Sequence, residues 1–447
     1  MPSTYIEKPR YVCALGGAIA TVNAIPGAIS VLHSSIGCGG NLNSAIGPAA
    51  GHGGSNYMGG LAIPCSGVQE KEIVFGGDRR LDEQLKATIE IAKADLFVVL
   101  TGCMTEMVGD DVDAVLAGFQ EQGVPIFSVS TGGFKGTSLY GYDLVLEAFF
   151  KKYVKRGVAR QAKKVNLWGI PPTQDVFWEG NLIELRRLLE ALGITVNTFF
   201  TRQDSLDELR NAASAELNIV VSPIYGVEPA KIFEEEHGTP YLALDFPIGA
   251  LASRRFLEQV GIALKLEPAV VKKVIEAEEK NYYHFLSRSL DPYNDIDLQR
   301  YAVVVGNASY APALTEFAFR ELGWLPELVV ITDILNDDQA EQVSGGFAAL
   351  LPELAGKLVY ETNTSQVIEH FRKAWPTISG KRYQREFSPA FVLGSTLDKD
   401  FADQIKAGHL AVSYPVTSRQ VLNRGYAGYK GGLTLVEDIF SNLLSLR

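Results

Sequence analysis

The chain has 447 residues, 47% hydrophobic and 21% charged, with a formal net charge of −11. Two or three sizeable cores fit in that length, and the acidic balance sets nucleic acid and anionic membranes aside as main partners. No run of roughly eighteen apolar residues is available to span a membrane, and the opening MPSTYIEKPR lacks the apolar core of a secretory signal, so a cytoplasmic location is expected.

Three segments alternate strand and helix patterns. In the first, Arg80–Ala94 has helical spacing, Asp95–Leu100 (DLFVVL) reads as a buried parallel strand, Val112–Gln122 as a helix and Pro125–Val129 as the next strand. A basic, helix-prone stretch, Lys151–Lys164, closes it. The second segment carries strands at Val165–Gly169, Ile194–Phe200, Leu217–Ser222 and Tyr241–Leu244, with an amphipathic helix at Glu184–Leu192 and a long polar helix at Ala269–Ser287. The third has strands at Tyr301–Gly306, Glu327–Thr332 and Pro389–Leu393, with helices at Ala313–Leu322 and Val436–Leu446. The pattern predicts an α/β protein of three Rossmann-like domains, 1–164, 165–300 and 301–447, each a parallel sheet flanked by helices.

All four cysteines, Cys13, Cys38, Cys65 and Cys103, lie in the first quarter. A reducing compartment argues against disulfides, and no C-x-x-C spacing suggests zinc. Cys103 follows the strand 95–100 at its carboxyl end, where open α/β sheets bind ligands. Cys38 is expected in a loop with Gly37, Gly39 and Gly40, where backbone can approach a bulky inorganic group. Thiolates suit iron–sulfur clusters, while the bland alternative makes these residues small buried hydrophobes. No phosphate-binding loop is present, so any nucleotide hydrolysis falls to a partner.

The pieces HSSIGC, EKEIVFGGDRRL, TGCMTEMVGDDV, TGGFKGTSLYGYD, FPIGALASRRFL and NRGYAGYKGGLTLVEDIF occur in that order, and with them the chain resembles nitrogenase component 1 proteins along most of its length. The resemblance implies a cluster shared between two related subunits, each supplying three cysteines, here Cys13, Cys38 and Cys103. It implies a P-cluster-type 8Fe–7S group, or a 4Fe–4S variant, in an α2β2 hetero-oligomer served by an ATP-dependent iron–sulfur reductase. Catalytic subunits of the family anchor a metallocofactor with a mid-chain cysteine and a late histidine. This chain has no cysteine after Cys103, only Ser222 and Tyr225 in NIVVSPIYG, and late histidines at His370 and His409 in surface or packing contexts. It therefore resembles the β-type, electron-relaying subunit, although EKEIVFGGDRRL looks closer to the α-type subunit or the assembly scaffold.

Gly133 falls where conventional β-type chains carry a serine, so serine ligation is not expected. Cys65 reads as a free buried cysteine, with an extra ligand as the alternative. Asp110 and Asp111 are expected to cap the helix from Val112 rather than bind Mg²⁺. His33 is expected to hydrogen-bond backbone, and His52 lies where it could line an interface. Three functions stay open: a β-type subunit of a nitrogenase-like reductase such as methylthio-alkane reductase, a β subunit of a molybdenum-free nitrogenase, or a cofactor-assembly scaffold.

Overall fold

The computed structural model describes residues 6–52, 63–295, 297–375 and 389–445. The first segment runs α1 (Ala14–Asn23), β1 (Ala28–His33), α2 (Ile36–Ala49), α3 (Glu70–Phe75), α4 (Asp78–Ile91), β2 (Leu96–Thr101), α5 (Cys103–Val108), α6 (Val112–Glu121), β3 (Ile126–Val129) and α7 (Ser138–Lys152). Its strands form a parallel sheet in the order β1-β2-β3, with His33 opposite Thr101. Every residue of β1 and β2 is buried, as expected of a parallel strand covered on both faces. Alternate residues go to opposite sides. Leu32, Val98 and Leu100 pack with Leu15 and Ile19 of α1 and Val145 and Leu146 of α7. Ile29, Val31, Phe97 and Val99 pack with Leu81 and Leu85 of α4 and Leu116 and Phe119 of α6. Each such side chain contributes about 1.5–3 kcal/mol of burial.

Helices α1 and α7 cross at backbone contact. A Cβ at Gly17 would run into the Ser138 carbonyl, and one at Gly141 into the Ala14 carbonyl. Glycine at both positions is what lets the two helices approach so closely, and the crossing fixes the start of α1.

Two more parallel sheets follow. The second is β5 (Thr195–Asn197), β4 (Gln161–Trp168), β6 (Ala215–Val220) and β7 (Tyr241–Ala243), in that order. The third is β10 (Leu358–Tyr360), β9 (Leu325–Ile331), β8 (Tyr301–Gly306), β11 (Ala390–Gly394) and β12 (Gly408–Ala411). The expected α/β fold of parallel sheets flanked by helices is present. Among the described residues no helix is long and apolar enough to cross a membrane.

The basic stretch 151–164 is not helical as expected. Helix α7 stops at Lys152, and β4 starts at Gln161, ahead of the apolar run that signalled it. Those first residues of β4 are mostly exposed, and the register shifts between Gln161 and Val165. A bulged, charged strand end carries no apolar alternation for a pattern to detect.

Candidate functional site

The cysteines collect at the carboxyl end of the first sheet. Cys13 is the N-cap residue of α1, Cys38 lies in the first turn of α2, and Cys103 is the first residue of α5, two positions beyond β2. Cys38 is thus helical, not in a loop as expected: Ser35 is the N-cap, and the Cys38 amide donates to the Ser35 carbonyl at 3.2 Å. Helix N-termini present free N–H groups and partial positive charge, which favour an anionic sulfur. All four thiols are partly accessible.

Main-chain bonds set the Cys13 position. The Ala14 amide donates to Gly136 O at 2.9 Å and the Ser138 amide to Val12 O at 2.7 Å, bringing Cys13 against the loop after β3. In that loop the Gly133 amide donates to Cys103 Sγ at 3.0 Å. A Cβ on Gly133 would stand 3.1 Å from Cys13 Sγ and 3.2 Å from Cys103 Sγ. Cys13 and Cys103 therefore converge on one bare stretch of backbone. Cys38 occupies the neighbouring loop-helix junction, beside Cys65.

Three of the sequence pieces meet in a buried knot behind the thiols. His33 Nε2 bonds Asp110 Oδ2 at 2.9 Å, and Asp110 Oδ1 accepts from the Gly77 amide at 2.8 Å. His33 Nδ1 bonds Ser66 Oγ at 3.0 Å. Thr105 Oγ1 donates to His33 O at 2.8 Å, and the Gly102 amide donates to the same oxygen at 2.9 Å. The knot thus ties the Cys38 and Cys103 segments together. Burial pushes the His33 ring below its ordinary value, against the opposing pull of Asp110. Both ring nitrogens of His33 bond side chains, Asp110 and Ser66, which differs from the expected backbone bond. Asp111 alone caps α6, accepting from the Ala114 amide at 3.1 Å; Asp110 serves the knot.

Glu106, one turn after Cys103, had no role in the sequence reading. It accepts from Thr101 Oγ1 at 2.5 Å and from the Gly132 amide at 2.6 Å, and pairs with Lys135 at 3.2 Å. Burial works to raise this carboxyl, and the hydrogen bonds from Thr101 and Gly132 outweigh it and hold it below the usual carboxylate range. Sequence offered only the i, i+3 spacing of Glu106 from Cys103 on a helix, and no sign of its partner Gly132.

Cys65 pairs with β1 through a bridge to Leu32, and its thiol donates to Ser34 O at 3.4 Å and Ser35 O at 3.7 Å. Burial pushes this thiol up, and Cys38 adds to the effect. His52 Nε2 bonds Thr417 O at 3.0 Å. The late histidines are committed elsewhere: His370 Nε2 bonds Glu361 at 3.0 Å, and His409 Nε2 bonds Ser395 O at 2.8 Å. Ser222 Oγ accepts from the Ile224 and Tyr225 amides at 3.1 and 2.9 Å.

Among the described residues no three of His, Cys, Asp and Glu surround one ion-sized point. The donor chemistry fits a larger, thiolate-held group better: soft sulfur donors, an amide on one sulfur, and a cradle at Gly133 that a Cβ would fill.

The chain is 28% identical over 316 residues to the nitrogenase iron-molybdenum cofactor biosynthesis protein NifE of Clostridium pasteurianum, covering 70% of this chain and 66% of that protein. It is 23% identical over 474 residues to the nitrogenase iron-iron protein beta chain of Rhodobacter capsulatus, covering 98% and 94%. A light-independent protochlorophyllide reductase subunit from Chloroflexus aggregans matches at 25% over 65% of this chain and 57% of that protein. A solved structure of nitrogenase Cp1 at pH 6.5 superposes with a TM-score of 0.81 at 20% identity, over 100% of this chain and 94% of that one, which shows the fold. The profile described as nitrogenase component 1 type oxidoreductase matches residues 13–444, and the chain belongs to that family.

Proposed function

We propose that this chain is the β-type subunit of a nitrogenase-like two-component reductase of the methylthio-alkane reductase kind. In this reading Cys13, Cys38 and Cys103 hold half of an interfacial P-cluster-type iron–sulfur cluster, 8Fe–7S or a 4Fe–4S variant. The observation that carries it is the placement of all three thiols at helix starts on one sheet edge, with Cys13 and Cys103 flanking bare Gly133. A bound cluster would supply one-electron storage and transfer. The chain's own part is to present three thiolates from main-chain-anchored positions and leave the remaining coordination to a homologous α-type subunit. Residues 1–164 form the cluster-binding domain, and 165–300 and 301–447 the two further Rossmann-like domains. Electrons would come from a separate ATP-dependent iron–sulfur reductase and pass to the metallocofactor of the α-type partner in an α2β2 assembly.

Polar side chains that bond one another between the second and third sheets support this division of labour. Ser309 Oγ donates to Ser222 Oγ at 2.9 Å, and Tyr310 OH bonds Asp175 at 2.9 Å and Asn181 at 2.7 Å. Tyr11 stacks on Tyr414 at 6.0 Å and bonds Thr332 Oγ1 at 2.8 Å. Ser222, Ser309, Tyr310 and Tyr11 are thus already engaged and have little to offer a large cofactor, whereas Tyr225 OH and Asp333 Oδ1 have no partner among the described residues.

Anaerobic purification of the complex, with iron analysis and EPR, tests the proposal. Cys38→Ala should deplete the cluster; unchanged iron and spectra would overturn it. Two rival readings have specific support. Similarity to NifE favours an assembly scaffold, and the longer match to the iron-iron beta chain favours a dinitrogen-reducing nitrogenase. Turnover assays of the complex with reductase and ATP separate the three. A scaffold transfers a cofactor to another protein without turnover, and a nitrogenase yields ammonia from dinitrogen.

A further inference from the structure

We infer that Glu106 is a positioning residue, acting through the 132–133 backbone to hold the Gly133 N–H on the Cys103 sulfur and so to raise the reduction potential of the bound cluster. The inference rests on the proposed role of Cys103 as a cluster ligand.

The mechanical chain is short. Cys103 and Glu106 ride on the same turn of α5. Glu106 Oε1 accepts the Gly132 amide at 2.6 Å, and the next amide along, that of Gly133, points at Cys103 Sγ at 3.0 Å. The rest of the loop is tied to the same strand end. Thr131 Oγ1 donates to Thr101 O at 2.8 Å and the Thr131 amide to Thr101 Oγ1 at 3.2 Å, while within the loop Lys135 Nζ donates to Ser130 O at 3.1 Å. One carboxylate oxygen thus grips the loop at the peptide adjacent to the one that donates to sulfur. Motion of residues 132–133 away from α5 breaks the Glu106–Gly132 bond.

An N–H aimed at a ligating sulfur stabilises the more electron-rich state of a cluster, because added electrons place negative charge on the sulfurs. Losing that donor makes the cluster harder to reduce. Glu106 also brings a negative charge of its own, partly offset by Lys135, and that charge acts in the opposite sense. Two variants separate these effects. Glu106→Gln keeps an acceptor oxygen for Gly132 and drops the charge, whereas Glu106→Ala drops both.

The test is a potentiometric titration of the anaerobically purified complex, followed by EPR, with iron measured per chain. The expected result is a more negative potential for Glu106→Ala than for Glu106→Gln, at equal iron content. Iron loss in the alanine variant with retention in the glutamine variant supports the positioning role, since glutamine keeps the acceptor for Gly132 that alanine lacks. Equal potentials, or a higher one for alanine, overturn the inference, and so does equal iron loss in both. Gly133→Ala provides an independent arm: its methyl group would press on both sulfurs and should cost iron, while Gly118→Ala, which meets nothing within 4 Å, should not. Full iron and an unchanged potential in Gly133→Ala would likewise overturn it. Wild-type complex without iron would instead refute the proposed cluster role itself.

Discussion

Arg10 holds Asp398 through both ends of its guanidinium, at 2.9 and 2.6 Å, and both side chains are essentially sealed from solvent at 1% and 0% exposure. Ser395 Oγ accepts a further bond from Arg10 at 2.6 Å. The pair fastens the segment leading into Cys13 onto the third sheet, where Tyr11 adds its bond to Thr332 and Thr364 Oγ1 donates to Lys8 O at 3.1 Å. Arg10→Ala leaves an uncompensated buried carboxylate and should cost about 3–5 kcal/mol, measured by chemical denaturation. Burial would raise the Asp398 carboxyl, and Arg10 and Ser395 override it and hold it low. A depressed native value gives stability that is present above the unfolded aspartate value of about 3.9 and is lost as pH falls through the native one. The wild-type chain should therefore lose more stability on acidification below pH ~4 than Asp398→Asn does.

Asp333 predicts a pH dependence of the opposite sign. Burial pushes its carboxyl up to about 7. Its Oδ2 accepts from the Ala308 amide at 2.6 Å, and Oδ1 has no partner among the described residues. Between the unfolded value of about 3.9 and the native value, the folded chain holds a proton that the unfolded chain has released, so this group makes stability fall as pH rises. Denaturation midpoints at pH 5 and pH 7.5 should differ less in Asp333→Asn than in the wild type. Equal differences would refute the burial argument.

Gly141→Ala tests the α1–α7 crossing. The added methyl has to displace the Ala14 carbonyl, an overpacking that costs about 1–3 kcal/mol. Because that carbonyl follows directly on Cys13, the variant should lose iron as well as stability. A drop in denaturation midpoint with full iron retained would show that Cys13 is positioned independently of the crossing.

Cys65→Ser should keep wild-type iron content. Its thiol donates to the Ser34 and Ser35 carbonyls, and a hydroxyl can do the same. Iron loss on the scale of Cys38→Ala would instead make Cys65 a fourth protein ligand.

Strands β2, β3 and β8 were legible in the sequence because buried parallel strands are continuous apolar runs. Helices α1 and α2 were not, since Gly16, Gly17, Gly37, Gly39 and Gly40 lower helix propensity; at Gly17 the glycine answers a contact with Ser138, distant in sequence. Strand β1, with Ser30 and His33 inside it, lacks a clean apolar run, and the buried roles of both residues, Ser30 Oγ on Asn23 and His33 on Asp110, come from tertiary partners. The three cysteines could be picked out by resemblance and by the position of Cys103 after a strand. The Gly133 amide, the Glu106 latch and the Arg10–Asp398 pair could not, because each joins groups whose proximity only the folded backbone creates.

The Arg10–Asp398 clasp also sets an order of events during biosynthesis. The two residues are 388 positions apart in the chain, and a ribosome delivers the amino end first. Cys13 is thus the first thiol to emerge, yet the strap that leads into it can be fastened only after the strand carrying residues 390–394 and the Asp398 turn have been translated. A nascent chain stalled before that point can complete the first sheet and the main-chain bonds of Val12 and Ala14 while Arg10 still lacks its carboxylate. Synthesis through Asp398, rather than of the first sheet alone, is the point at which the strap ahead of Cys13 gains its buried anchor.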